Sequence, residues 1–223
     1  MKNIIITGTS RGIGLELAVQ LADAGHQILA LSRQTPSRLL QHANVTCLSV
    51  DLSAPDFSLV EQFLKSWQHV DAIVHNAGAL VLKPFAQTTA EDFQRIYRVN
   101  VFAVAALTQA CLPYLKNGSH VVAISSIGGV QGSMKFAGLS AYSSSKGAVI
   151  TLMELLAEEY REQGIAFNAL ALGSVQTDML AEAFPGYQAP IQPADMARFI
   201  ADFALNGQRF FNGKLLPVSS TTP

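Results

Sequence analysis

Tyr142 and Lys146 stand four residues apart in the segment Tyr142-Ser143-Ser144-Ser145-Lys146, whose surroundings favour helix. That spacing puts both side chains on one helical face. A tyrosine hydroxyl ordinarily titrates near pH 10 and exchanges protons poorly at neutral pH. A neighbouring ammonium favours the phenolate and draws that value down. A fall of ~2–3 units corresponds to roughly 3–4 kcal/mol and brings the phenol toward the range of efficient general acid–base catalysis. Ser126, second of the pair Ser125-Ser126, closes an apolar run and is placed to hydrogen-bond a substrate oxygen; Ser125 is its rival. Tyr-x-x-x-Lys alone is a common helical surface pair, so its chemistry rests on what accompanies it.

What accompanies it is a glycine-rich turn. Thr7-Gly8-Thr9-Ser10-Arg11-Gly12-Ile13-Gly14 follows the first apolar run and opens an amphipathic helix. Glycines at these positions permit a tight turn, close backbone approach to a pyrophosphate and close helix–strand packing, while the helix N-terminus adds N–H donors and a positive dipole end. The spacing is G-x-x-x-G-x-G, not the G-x-G-x-x-G dinucleotide fingerprint. It also lacks the Gly-Lys-Ser/Thr ending of a P-loop. At the end of the second strand, where an acidic residue would bond the adenosine ribose of NAD, stand Ser32 and Arg33. With Arg11 they offer a 2′-phosphate two guanidiniums and no carboxylate. The expected cofactor is NADP(H), with NAD(H) the second choice; two solvated surface arginines are the competing explanation.

The elements that must position these residues are legible as alternation. Ile4–Ile6, Ile28–Leu31, Val45–Val50, Ala72–Val74, Val121–Ile124, Ile165–Leu172 and Leu215–Val218 are apolar at nearly every position. Strands covered on both faces read this way, so a parallel sheet between helix layers is expected. Between them, Ile13, Leu17 and Leu21 recur at four-residue spacing before Gly25, and the segments 58–67, 89–97, 101–115, 141–163 and 193–205 favour helix. The expected fold class is α/β: a Rossmann-like, doubly wound parallel sheet of about seven strands with helices on both faces. No linker or repeat divides the chain, so residues 1–223 read as one domain carrying both cofactor site and catalytic groups.

Composition excludes several function classes. The chain has 223 residues, 49% hydrophobic and 14% charged, a balance that suits a large buried core rather than disorder. A formal charge of −1 gives no reason to expect nucleic acid or an anionic membrane as partner. Cys47 and Cys111 lack metal-ligand spacing and sit in apolar stretches, so no metal site is expected and a reducing compartment is. The run at Ile4–Ile6 is too short for a signal peptide or a span, and a cytoplasmic protein is expected.

Taken in order, Thr7 to Gly14, Asp51-Leu52, Asn76-Ala77-Gly78, Asn100, Ser126 and Tyr142 with Lys146 resemble the motif set of the short-chain dehydrogenase/reductase family, from residue 4 to about residue 180. The resemblance implies an oxidoreductase. Gly8, Ser10, Gly12, Ile13 and Gly14 would line the pyrophosphate and adenosine side. Asp51 would bond the adenine amino group beside the Leu52 backbone, and Asn76, Ala77 and Gly78 would pack along the adenosine ribose. Tyr142 would pass the proton, Lys146 would hold the nicotinamide ribose and lower the tyrosine pKa, and Asn100 would anchor a water in a proton relay. Gly173, Val175 and Thr177 resemble the segment that fixes the carboxamide.

Departures from the pattern are specific. His75 replaces the first asparagine of Asn-Asn-Ala-Gly and reads as structural; Leu172 replaces the proline of Pro-Gly. The stretch from Ser126 to Tyr142 is longer than usual, so Gly128–Gly138 is expected to form an enlarged loop over the pocket. Residues 179–190 make a small apolar lid at most. The ending Pro217-Val218-Ser219-Ser220 departs from Val-Asp-Gly-Gly, which bears on tetramer contacts made by the tail. A homodimer or homotetramer would instead pair the apolar helices near 101–115 and 148–160. Leu80, Val81, Val130, Met134, Phe136 and Phe184 point to a small, mostly apolar carbonyl or alcohol substrate. A non-catalytic NADP(H)-binding sensor or scaffold of the same fold is the alternative, but it has no need of the Ser–Tyr–Lys set. A nucleotide-sugar epimerase would need more chain than residues 178–213.

Overall fold

Strands apolar at every position must bury both faces, and in the computed structural model they do. The structure describes residues 1–220; residues 221–223, part of the one-domain reading, lie outside the described residues. Strands β1 (Asn3–Thr7), β2 (Gln27–Ser32), β3 (Val45–Ser49), β4 (Val70–His75), β5 (Leu115–Ser126), β6 (Ala166–Leu172) and β7 (Lys214–Val218) alternate with helices. The helices are α1 (Gly12–Asp23), α2 (Ser58–Trp67), α3 (Ala90–Tyr97), α4 (Ala103–Cys111), α5 (Ser140–Glu159), α6 (Asp178–Ala183) and α7 (Pro193–Asn206). All seven strands pair in parallel in the order β3-β2-β1-β4-β5-β6-β7. Chain direction across the sheet reverses between β1 and β4, which opens a crevice at the carboxyl ends of these strands, where ligands bind in such sheets.

The continuous apolar pattern divides by residue parity. Ile5, Leu29, Leu31, Ile73, Val121 and Phe167 meet α2, α4 and α5 on one face. Their neighbours Ile4, Ile6, Ile28, Ala30, Val74, Val122 and Leu170 meet α1 and α7 on the other. At roughly 25 cal/mol per Å² of apolar surface buried, both faces must be covered for a sheet of this width to be stable.

Two helix expectations are corrected. The segment 101–115 is helical only to Cys111; a 3₁₀ turn at Leu112–Tyr114 holds Pro113, which cannot continue the ladder, and Leu115 already belongs to β5. The segment 141–163 ends as α-helix at Glu159, and Gly164 at φ +69° closes it. At its other end α4 runs into α3 through a π turn over Arg98–Phe102. By length and composition the run Ala90–Tyr114 could cross a membrane; here Val104, Leu107 and Cys111 are buried against the sheet.

A buried polar network ties β7 to the sheet. His120 Nδ1 lies 3.1 Å from the Ala204 carbonyl, which can only accept, so Nδ1 carries the proton. Nε2 then accepts from Asn168 Nδ2 at 2.9 Å; that amide also donates to the Phe211 carbonyl and takes the Lys214 N–H. Burial drives the His120 pKa down to about 4.

Candidate active site

The turn after β1 is built by contacts a side chain would destroy. Gly8 has φ +75°, and a Cβ there would lie 2.8 Å from Ala77 Cα. A Cβ on Gly14 would fall 2.2 Å from the Gly8 carbonyl oxygen. Across this join, Asn76 Nδ2 donates to the carbonyls of Thr7 and Gly8, and the Ala77 N–H reaches Thr7 Oγ1 at 3.0 Å. No side chain caps the α1 N-terminus.

A cleft of about 470 Å³ opens here. Its walls hold Gly8, Ser10, Arg11, Gly12, Ile13, Ser32, Arg33, Asp51, Leu52, Asn76, Ala77 and Gly78, and, further along, Ser126, Tyr142, Lys146, Gly173, Val175 and Thr177. Of the expected site residues, Gly14 and Asn100 support the cleft without lining it. Asp51 Oδ1 accepts the Ser53 N–H and hydroxyl, which holds its carboxyl below the ordinary range. Ser32 Oγ donates to the Gln34 carbonyl and accepts from Thr9.

At the end of β5 the two serines separate. Ser125 Oγ is buried and donates to the Lys146 carbonyl at 2.9 Å. Ser126 accepts the Gly128 N–H at 3.2 Å and hydrogen-bonds the Tyr142 hydroxyl. Of the two serines, Ser126 is the one that contacts the phenol, while Ser125 is turned to the α5 backbone. Lys146 is 4% exposed, its Nζ donating to the Ile124 carbonyl at 2.7 Å and lying 5.7 Å from the Tyr142 ring centre. Desolvation lowers its pKa to about 8. The expectation that Lys146 lowers the Tyr142 pKa is corrected. Desolvation raises the phenol above its ordinary value, and the opposing pull comes from Ser126.

Asn100, buried in the π turn, accepts the Ala79 N–H at 2.8 Å and donates to the Ala79 carbonyl and to Ser145 Oγ at 3.0 and 2.9 Å. Its carboxamide thus clamps the 76–79 segment to α5. Ser145 completes the clamp by donating to the Tyr142 carbonyl at 2.6 Å. The sequence signal for Ser145 was its place three residues after Tyr142, the spacing of such back-bonds. His75 is buried, pairs with Thr108 Oγ1 at 2.9 Å and is pushed down to about 3 by burial, in line with a structural role.

Above the cleft, Thr177 Oγ1 caps α6 by accepting the Leu180 N–H. The expected small lid is thus a short helix. Its Asp178 and Glu182, which sequence reasoning passed over, face Arg11 at 3.1 and 3.8 Å. At the other end Phe184 meets Phe136, ring centres 5.6 Å apart. The predicted substrate wall is partly corrected. Leu80, Phe136 and Phe184 line the cleft, together with Ile127, Leu139, Met179 and Ala183. Val81 does not line it; Val130 packs on the core and Met134 is 59% exposed.

Comparison with known proteins converges. A family model described as short chain dehydrogenase matches residues 2–188. A probable short-chain type dehydrogenase/reductase, VdlC, of Helicobacter pylori is 34% identical over 186 residues, covering 81% of this chain and 67% of that protein. A solved short chain dehydrogenase from Salmonella enterica serovar Typhi is 29% identical with a TM-score of 0.87, covering 97% of this chain and 96% of that one. A solved Escherichia coli short chain dehydrogenase, described as putative and complexed with NADPH, is 29% identical with a TM-score of 0.84, covering 96% and 95%.

Proposed function

The chain belongs to the short-chain dehydrogenases, and from that premise we propose an NADP(H)-dependent oxidoreductase that interconverts a small, mostly apolar ketone or aldehyde and its alcohol. The observation that carries this reading is the joint presence of Ser126, Tyr142 and buried Lys146 in one cleft with the Gly8–Gly14 turn. The residues fit a dinucleotide: a Cβ on Gly12 would meet only Thr177 Cγ2, at 3.6 Å, which leaves the space before the uncapped α1 N-terminus open to a pyrophosphate. Arg11 and Arg33 on the cleft wall, and the relative complexed with NADPH, favour the 2′-phosphorylated form.

When bound, the cofactor supplies or accepts the hydride. The chain supplies orientation and one proton. Ser126 holds the substrate oxygen beside the Tyr142 hydroxyl, and the phenol gives its proton to that oxygen as negative charge develops on it. Lys146, fixed by the Ile124 carbonyl, keeps two N–H groups for the nicotinamide ribose hydroxyls and places a positive charge near the phenol. Asn100 and Ser145 position the turn of α5 that carries both. Leu80, Leu139, Met179, Ala183 and Phe184 bias the substrate end toward apolar groups.

The test is Tyr142→Phe, assayed by NADPH oxidation across a panel of ketones and aldehydes. Turnover should fall by roughly 10²–10⁴-fold, the usual worth of a positioned proton donor, while NADPH affinity is kept. A folded variant with normal turnover would refute the assignment. Tight NADPH binding without turnover of any carbonyl would return the non-catalytic alternative.

A further inference from the structure

Arg11 occupies the phosphate turn in extended backbone, φ −160° and ψ 175°, with its guanidinium on the cleft rim. In the structure that guanidinium is taken by the lid: Nη1 lies 3.1 Å from Asp178 Oδ2, and Nη2 3.8 Å from Glu182 Oε1. The two carboxylates are four residues apart on α6 and so share one face. The excursion that carries them is closed at its base, where the Gln176 N–H donates to the Ile191 carbonyl at 2.9 Å and the Ala189 N–H to Gln176 Oε1 at 2.7 Å. Its far end rests on Phe136 through Phe184. The lid therefore has an apolar contact at its substrate end and an ionic one at its cofactor end.

We propose that Arg11 is a cation shared between the lid and the cofactor's 2′-phosphate, so that Asp178 and Glu182 act as competing anions that moderate the preference for NADP(H) over NAD(H). The inference rests on the reading that Arg11 faces the 2′-phosphate. A phosphate takes a guanidinium through two parallel N–H bonds. That fork takes two of the five guanidinium N–H groups, and any carboxylate kept beside it sets negative charge against the phosphate, so a 2′-phosphate weakens the contacts to Asp178 and Glu182. A 2′-hydroxyl makes no such demand, and NAD(H) leaves the clasp closed. By reciprocity of binding, NADP(H) loosens α6 where NAD(H) does not. All three groups are largely exposed, side chains 62%, 63% and 69%, so the competition is small and screened by salt.

The experiment measures NADPH and NADH affinities by fluorescence titration at low and high salt for four proteins: the unaltered chain, Asp178→Asn with Glu182→Gln, Arg11→Gln, and all three changes together. Limited proteolysis within 177–190 is followed with each cofactor. Neutralising the lid should tighten NADPH roughly three- to tenfold at low salt, the worth of two exposed pairs, and leave NADH within about twofold. The gain should shrink at high salt and largely vanish once Arg11 is replaced, and NADPH should expose the lid to protease more than NADH does. Equal tightening of both cofactors, no tightening, or a full effect without Arg11 would overturn the competition. If Arg11→Gln weakens NADPH while the lid change is silent, Arg11 still reads the phosphate and only the competition falls. If Arg11→Gln leaves NADPH unaffected, the underlying assignment of Arg11 falls and takes the proposal with it.

Discussion

Replacing Lys146 with Met should make the cofactor-free protein more stable at neutral pH while abolishing its activity. Lys146 is buried, and burial lowers its pKa from 10.5 to about 8. At 1.36 kcal/mol per unit, holding the charge inside costs roughly 3 kcal/mol at pH 7. Against this stands one hydrogen bond, Nζ to the Ile124 carbonyl, whose loss costs about 1 kcal/mol. Met matches the unbranched stem and carries no charge, so the net gain at pH 7 is about 2 kcal/mol, or a melting temperature higher by about 4–8 °C for a chain of this size. The sign changes with pH in a defined way. Between about 8 and 10.5 the unfolded chain binds more protons at Lys146 than the folded one, so stability of the unaltered protein rises across that window. Above it the folded lysine is neutral, its penalty is gone, and Met loses its advantage. Denaturant unfolding of both proteins from pH 7 to 10.5, with turnover measured alongside, tests the reasoning. A Met variant less stable at pH 7, with a gap that does not change with pH, would refute it.

The opposite end of the pH scale is set by His75 and His120, whose pKa values burial lowers to about 3 and about 4. Both must be protonated on unfolding below pH 6.5, so stability is full above that value and is lost as pH falls toward about 4 and then about 3, by up to ~3 kcal/mol for His120 and ~5 kcal/mol for His75. Urea midpoints that stay level between pH 7 and 5 would contradict this, and His75→Leu should remove close to one proton from the slope. Gly14→Ala drives a Cβ onto the Gly8 carbonyl; it should cost about 1–3 kcal/mol and most of the cofactor affinity, read from melting and NADPH titration, while the circular dichroism of the sheet is unchanged. Phe102 and Leu155, 58% and 63% exposed on the helices expected to pair, lead us to propose a homodimer; light scattering of Leu155→Lys should then report monomer, and a monomeric unaltered chain would dispose of it.

Much of the fold was readable because burial on two faces leaves no polar position in a strand: β1 is Ile at three successive sites, and parity alone sends Ile5 to one core and its neighbours to the other. The site's skeleton was readable for a local reason too, since Tyr142 and Lys146 share one helix. What escaped depends on contacts between distant parts of the chain. Arg11 finds Asp178 across 167 positions, and nothing near either residue announces the other. The side-chain bonds of Asn100 to Ala79 and Ser145, brought to it by the π turn between α3 and α4, have no signature in the local sequence. Val81, Val130 and Met134 shared the composition of a pocket wall, but apolar composition does not distinguish a wall from core filling.

The direction of the Tyr142 shift carries the most chemical consequence. A lysine four residues away argues for a more acidic phenol, yet Lys146 is buried and Tyr142 half-buried on the cleft wall, and desolvation penalises the charged form of each. It acts on them oppositely: the phenol rises and the ammonium falls to about 8. At neutral pH the pair therefore rests as a protonated phenol beside a still-charged lysine, which is the arrangement a proton donor requires. Reduction of a carbonyl uses it directly, because the oxygen receiving the hydride's electrons becomes a far stronger base than phenolate and the transfer runs downhill. Alcohol oxidation needs the reverse state, a phenolate, and burial makes that state costly until the pH is alkaline. On that ground we propose that carbonyl reduction is favoured near neutrality and alcohol oxidation displaced to higher pH. Rate profiles for the two directions, measured on one enzyme preparation, should separate along the pH axis in that order. Coincident profiles would mean that the charge of Lys146, and not the loss of water, governs the phenol.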